Sequence, residues 1–464
     1  MGVYKLLKIV DLDVVNEISL KEAKDFKILP IYMDKDKVFV ATYNKDKRAN
    51  ELLNFIYKKD ISFIDISEEL LEDLTNILLN YSIRDIYEKI IEEAINLKAS
   101  DIHFEPMENT LRIRMRINGT LILKRILKLK DYSVILSKYK INANMDITEK
   151  RKPQDGKISY LYNKEKYNLR LSTIPVIAGE KLVIRILYED KDLGNIEKLD
   201  FNKKQLEKLK KIISLNNGLV LVTGPTGSGK STTLYSILNS LDKEVLNITT
   251  LEDPIEMSIK GINQINLNPK IGITFGAGLR SILRQDPDII MVGEVRDEET
   301  AKMAVRASIT GHKVYSTIHT KNPMEVYLRL QEMGVEEYLL RDSLCGIISQ
   351  RLIKVICNDC KEKIRSINLN DRNVTLYRKK GCRNCDDTGY IGRRLVSSVN
   401  YIDKNIIKSL RDKNFNHNLL SNKEMLDVLK GLLIAEVIDF YDFLKFIEGE
   451  ELDEKELQSF RNYL

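Results

Sequence analysis

The chain has 464 residues, more than one ordinary core holds, which sets an expectation of about two to four domains. A hydrophobic content of 43% beside 31% charged residues excludes a disordered or fibrous chain, and a net charge of +6, from 74 basic and 68 acidic residues, carries no nucleic-acid signature. No apolar run reaches the ~18 residues of a membrane span, and the early acids Asp11 and Asp13 argue against a signal peptide; a cytoplasmic chain with at most a peripheral membrane role is expected.

Residues 1–82 read as a small mixed module, with a strand over 37–43 and helices over 48–58 and 68–81, and carry no catalytic constellation; a docking or regulatory role is expected. A second domain, 83–195, starts with a helix over 87–97. Residues 111–117 alternate strictly, so Arg112, Arg114 and Arg116 share one face of a strand that ends in the hairpin turn Asn118-Gly119. That basic face is solvated, paired with acids or turned to a phosphate. A helix over 132–144 follows, then strands over 167–173 and 181–187 that carry Arg170 and Arg185, with a turn containing Pro175 and Gly179.

A third domain, 196–355, alternates helices and strands, the pattern of a mostly parallel sheet covered on both faces. A helix over 204–213 precedes the apolar strand 218–223. Then come Gly224, Pro225, Thr226, Gly227, Ser228 and Gly229, followed by Lys230, Ser231 and Thr232. This is the full phosphate-loop pattern. Glycines let backbone N–H groups turn inward around phosphates, a helix starting near Lys230 adds its dipole, Lys230 bridges the terminal phosphates, and Ser231 holds magnesium. Expected strands over 245–250 and 288–294 deliver Glu252 and Glu294. These acids polarise the attacking water or hold magnesium through water, in a division the sequence leaves open. Asp297 caps a helix that stops at Thr310-Gly311, and the strand 313–318 runs from His312 to His319. His319 lies at the strand's carboxyl end, where ligands gather in such sheets, and either senses the terminal phosphate or couples subunits.

Residues 356–396 hold Cys357, Cys360, Cys382 and Cys385, two C-x2-C pairs. In a reducing compartment this spacing favours a closed four-sulfur zinc site over disulfides; an iron–sulfur centre is the weaker alternative. Cys345 falls in a stretch read as helical and buried. Residues 397–464 read as short helices, with an acidic, solvated run at 448–451.

Taken together, these residues resemble the secretion ATPases of type II secretion and type IV pilus assembly, over roughly residues 80–400. The resemblance rests on Ala99-Ser-Asp-Ile-His-Phe-Glu-Pro106, Arg151-Lys-Pro-Gln-Asp-Gly156, the phosphate loop, Glu252-Asp-Pro254 and Leu279-Arg-Ser-Ile-Leu-Arg-Gln-Asp-Pro287. It continues through Ile290-Met-Val-Gly-Glu-Val-Arg-Asp297, Thr310-Gly-His-Lys-Val-Tyr-Ser-Thr-Ile-His-Thr320, Gln350-Arg-Leu352 and the cysteine pairs. It implies an α/β chain: a RecA-like ATPase core, a PAS-like α+β domain before it, a small N-terminal module and a zinc-bearing C-terminal subdomain. It further implies a homo-hexamer that uses ATP, Mg2+ and Zn2+. Arg170 and Arg185 match the arginine pair that approaches the phosphates, and Lys230, Glu252, Glu294 and His319 match the catalytic set; Arg280, Arg284 and Arg296 look like further ring or site arginines. Hydrolysis would rotate domains and act on an integral membrane platform protein, and through it on pilin-like subunits, with no direct nucleic-acid contact. The chain would sit at the inner face of the cytoplasmic membrane. The cysteine pairs favour an assembly motor over a retraction motor. Two departures stand out: residues 1–82 lack the arginine-rich opening motif of longer N-terminal modules that bind a cyclic dinucleotide, and Leu395-Val-Ser-Ser398 replaces the usual glutamate-containing strand. Other readings are a DNA-uptake pseudopilus motor, a ring DNA translocase, or a nucleotide-dependent scaffold without hydrolysis.

Overall fold

A computed structural model of the chain describes residues 6–7, 9–79, 86–188, 196–369, 372–411, 420–450, 458 and 460–461. It divides into two units, residues 1–189 and 190–464.

In the first unit, helices Leu12–Val15 and Leu20–Phe26 lead into a sheet of β1 (Ile28–Met33), β2 (Lys37–Thr42) and β3 (Asp60–Asp65). Helices Lys47–Tyr57 and Glu68–Leu78 follow Asp46 and Ser67, whose side chains accept bonds from first-turn N–H groups and so fix where each helix starts. A second, antiparallel sheet contains β4 (Asp101–Pro106), β5 (Thr110–Ile117), β6 (Thr120–Lys128), β7 (Gln154–Tyr162), β8 (Glu165–Val176) and β9 (Gly179–Leu187), in the order β6-β5-β4-β9-β8-β7. Alternation along β5 sends Leu111, Ile113 and Met115 into a core shared with α1 (Ile86–Asn96) and α2 (Leu129–Asn142). Asn118 and Gly119, at φ +48° and +80°, make the tight turn between β5 and β6.

The second unit is built on a seven-stranded sheet. Its strands are β10 (Gly218–Thr223), β11 (Ile248–Glu252), β12 (Asn263–Asn266), β13 (Ile289–Val292), β14 (Lys313–Ile318), β15 (Leu344–Ile356) and, after a hairpin of β16 (Glu362–Leu369) and β17 (Arg372–Arg378), β18 (Tyr390–Tyr401). The order is β12-β11-β13-β14-β10-β15-β18, and only β15–β18 is antiparallel. Every residue of β10 is buried. Leu219 and Leu221 point into one core with Ala301, Ala304 and Val305 of α5 (Glu298–Ile309). Val220 and Val222 point into the other, with Leu209 and Ile212 of α3 (Lys203–Ile213) and Leu234 and Ile237 of α4 (Lys230–Asn239). This double burial is why β10 reads as a continuous apolar run. The last helices, α6 (Lys423–Ile434) and α7 (Phe440–Gly449), pack with β16 and β17 in a separate core.

The mixed α/β class is as expected, but several local expectations change. The strand expected from 245 starts at Ile248, and Val245 is exposed. Pro175 lies within β8, opposite Glu180 of β9, so the turn is confined to 177–178. Cys345 is buried as expected, but on β15 rather than in a helix. A boundary at 396/397 falls inside β18, because Leu395–Ser398 is the middle of the strand that closes the main sheet. Residues 80–81 of the second expected helix lie outside the described residues.

Candidate functional site

The sequence leaves β10 at Thr223 and re-enters regular structure at Lys230, and the loop between is shaped by backbone only glycine tolerates. Gly224, Gly227 and Gly229 have φ of +151°, +76° and +87°. A Cβ on Gly224 would meet Gln350 O at 2.3 Å and Ser228 Oγ at 2.6 Å, so the loop base is pressed onto β15. The Gln350 side chain donates to Ser228 O at 3.0 Å and holds the crown of the loop. Lys230 folds back to donate to Gly224 O at 2.8 Å and Pro225 O at 3.1 Å. Burial holds its ammonium below the ordinary lysine range, Glu294 opposes that, and Arg351 adds to it. An anion on the loop would favour the charged form. Ser231 is half-buried and Thr232 exposed on the first turn of α4, and Pro225 and Thr226 are exposed on the loop. The glycine-built cradle, the helix N-terminus and the lysine suit the phosphates of a nucleotide.

Strand order places the remaining groups. β14 lies beside β10, β13 beside β14 and β11 beside β13, so their carboxyl ends line up next to the loop. Glu294, just past β13, has one oxygen 3.3 Å from His319 Nε2, while the other accepts from Arg296 Nε at 2.9 Å. Burial, and then Lys230, holds the His319 imidazole below its ordinary value, against the pull of Glu294. Thr223 donates to Thr320 O at 2.8 Å and ties the His319 segment to the strand that bears the loop. Glu252 ends β11 and is buried. Thr250 and Gln264 donate to one of its oxygens at 2.5 and 3.1 Å, and the Tyr235 hydroxyl of α4 bonds the other. Burial keeps that phenol protonated, far above its usual range. His312, at the other end of β14, bonds Ala307 O and stays apart from this group. Arg280 pairs with Glu299.

The first unit holds Arg170 and Arg185 opposite each other on β8 and β9. Arg185 pairs with Asp101 at 3.0 Å. The β5 row has acid neighbours from β4: Arg114 grips Glu105 with two bonds of 2.7 Å, and Arg116 lies 3.4 Å from Asp101.

Cys357 comes directly after β15 and Cys360 three residues later; Cys382 precedes, and Cys385 ends, the 3-10 turn Arg383–Cys385. All four sulfurs lie within 4.8 Å of one another, with separations of 3.9, 3.8 and 3.7 Å for Cys357–Cys382, Cys360–Cys385 and Cys382–Cys385. Tetrahedral zinc with ~2.3 Å bonds to sulfur would space them ~3.8 Å apart, so the donor set fits that ion.

One pairing escaped the sequence reading. Glu450, expected in a solvated acidic run, is instead mostly buried against Arg351 of β15, with bonds of 2.5 and 2.6 Å. The available signal was Arg351 itself: a charge inside the apolar strand 344–356 requires a buried counter-charge.

Comparison with known proteins gives consistent matches. The family model described as "Type II/IV secretion system protein" matches residues 79–431. Type II secretion system protein E of Dickeya dadantii (strain 3937) is 40% identical over 387 residues, which are 80% of this chain and 76% of that protein. Type II secretion system ATPase E of Vibrio cholerae serotype O1 is 41% identical over 374 residues, 78% and 74% of the two chains. Type IV pilus assembly ATPase PilB of Thermus thermophilus is 43% identical over 328 residues, 68% of this chain but 37% of PilB. Among solved structures, the pilus retraction motor PilT with bound ADP aligns with a TM-score of 0.54 at 26% identity, covering 80% of this chain and 98% of PilT. The Legionella pneumophila ATPase DotB shares the fold, with a TM-score of 0.55 at 20% identity over 83% of this chain and 97% of DotB.

Proposed function

The chain belongs to the type II/IV secretion system protein family, and from that premise we propose that it works as a homo-hexameric ring in which ATP hydrolysis turns domains against each other. It is an ATP hydrolase of the secretion and pilus-assembly motor class. The observation that carries the residue assignment is the meeting of Lys230, Glu294 and His319 at adjacent strand ends.

In this reading the loop 224–229 and Lys230 bind the phosphates, and the Ser231 hydroxyl would hold Mg2+, which would neutralise phosphate charge. Glu294, beside Lys230, would hold the ion through water. Glu252, aimed by Tyr235, Thr250 and Gln264, polarises the attacking water. His319 senses the terminal phosphate through Glu294. Arg170 and Arg185 of one subunit approach the nucleotide on the loop of another, where guanidinium groups offset charge that develops in transfer. Cys357, Cys360, Cys382 and Cys385 would hold a structural Zn2+, with four sulfurs and so no open position for chemistry. No helix among the described residues is long and apolar enough to cross a membrane. In this reading the ring meets the membrane through an integral platform protein and moves pilin-like subunits indirectly, from the cytoplasmic face.

Steady-state hydrolysis by Glu252→Gln and Glu294→Gln tests the assignment. Each substitution should lower kcat by about 100-fold or more while ADP affinity stays within about threefold. Glu294→Gln alone should raise the magnesium concentration required. Magnesium-dependent turnover at the wild-type rate in either variant would remove that acid from the catalytic set.

A further inference from the structure

A cleft of about 290 Å³ lies between loop residues 225–228 and the end of α7, where Lys445, Phe446 and Glu450 line it. At its floor is Arg351, 6% exposed. Its guanidinium makes four kinds of contact at once. Nε and one terminal nitrogen grip the Glu450 carboxylate; that same nitrogen donates to Lys321 O at 2.7 Å, and the other terminal nitrogen donates to Gln350 O at 3.0 Å. That second terminal nitrogen also lies 3.1 Å from where a Cβ on Gly224 would stand. Arg351 thus touches the base of the phosphate loop, the segment just after His319 and Thr320, and the last helix. Asn422, at the start of α6, donates to the same Lys321 O at 3.1 Å. Two C-terminal elements therefore converge on the backbone that follows the histidine.

A desolvated ion pair is a poor source of stability, since apolar side chains of similar volume fill such a place as well. What a planar, bidentate pair supplies is direction. With Glu450 in place, Arg351 has one orientation, and the loop base and the His319 segment are held at one spacing. Without it, a buried cation beside Lys230 has no counter-charge and must turn away or take up water, and both segments lose their common anchor.

We propose that Glu450 is a positioning residue for the nucleotide site: through Arg351 it sets the geometry of the phosphate loop and the His319 segment, so that the seating of α7 governs nucleotide affinity. The inference rests on the phosphate-loop reading and adds to it a link from the cysteine-bearing C-terminal part of the chain to the site.

The test uses the full-length protein, a fluorescent N-methylanthraniloyl ADP as probe, and steady-state ATP hydrolysis. Glu450→Ala should weaken probe binding and raise KM by about fivefold or more, while Glu450→Gln recovers part of the loss by keeping one hydrogen bond. The double substitution Arg351→Met with Glu450→Leu should restore thermal stability to near wild type yet leave probe binding weak. Lys230→Ala is the control for the underlying reading. If it binds the probe normally, the phosphate-loop assignment itself fails and the clasp with it. If Lys230→Ala abolishes binding but Glu450→Ala stays within about twofold of wild type, the clasp alone is refuted. Wild-type probe affinity in the double variant would equally refute it, because the pair would then be packing and nothing more.

Discussion

His319 is the residue whose surroundings most clearly set a working pH. Burial, with the positive charge of Lys230 second, holds its imidazole below the ordinary value, so it is neutral at pH 7. As pH falls through that lowered value, His319 gains a charge beside Lys230 and forms an ion pair with Glu294, which in the proposed mechanism takes the acid from its task. Because the folded form binds its proton less readily than the unfolded chain does, the histidine's stabilising contribution is present above the unfolded value of about 6.5 and is lost below it. A pH profile of kcat should show an acid limb below the usual imidazole range, and His319→Asn should abolish that limb; the same limb in both proteins would exclude His319 as its source. At this scale the sequence was legible where chemistry depends on neighbours in the chain. Gly224 to Ser231 can be read in order because a loop makes the site. Arg351 and Glu450 could not be paired in this way, since 99 positions separate them and only the packing of α7 brings them together.

At the scale of elements, β15 links most of the site. It supplies Gln350 and Arg351 to the loop, pairs with β10 on one side and β18 on the other, and ends at Ile356, directly before Cys357. The cysteine cluster joins the end of β15 to the 3-10 turn before β18, with the β16–β17 hairpin between them. Gly381 and Gly389, at φ +131° and +75°, allow the turns that bring the second pair of sulfurs round. The hairpin is also held by an apolar core of Ile367, Val374 and Leu376 with Met425, Phe440 and Phe443, independent of any ion. Loss of metal should therefore loosen the knuckles and leave the hairpin folded. Cys382→Ser should bind less than about 0.1 equivalent of zinc by elemental analysis, and residues 380–389 should become sensitive to limited proteolysis. A full equivalent of zinc in that variant would contradict the four-sulfur site. Strand positions were legible wherever burial on both faces made an apolar run, as in β10. The ends of β11 and the assignment of Cys345 were not, because a short apolar stretch has the same composition in a buried strand and in a buried helix.

At the scale of the whole molecule, the residues of the proposed site are divided between the two units. The second holds the phosphate loop, the acids and His319; the first holds the arginine-bearing strands β8 and β9. A near-balanced charge of +6 fits a machine whose cations are placed individually rather than spread as a basic surface. The arginines' positions on alternating strands were legible in the sequence, whereas their acid partners on β4 emerged only from the register of the sheet, which places Asp101 opposite both Arg116 and Arg185. In the proposed ring, a working site combines the loop of one subunit with arginines of another. Mixing tests it most directly. Lys230→Ala and Arg185→Ala should each be inactive in ATP hydrolysis, and co-assembled in equal amounts they should recover a measurable fraction of wild-type turnover, because sites that unite an intact loop with an intact arginine then form between neighbours. No recovery from rings shown by mass to contain both variants would contradict a site shared between subunits.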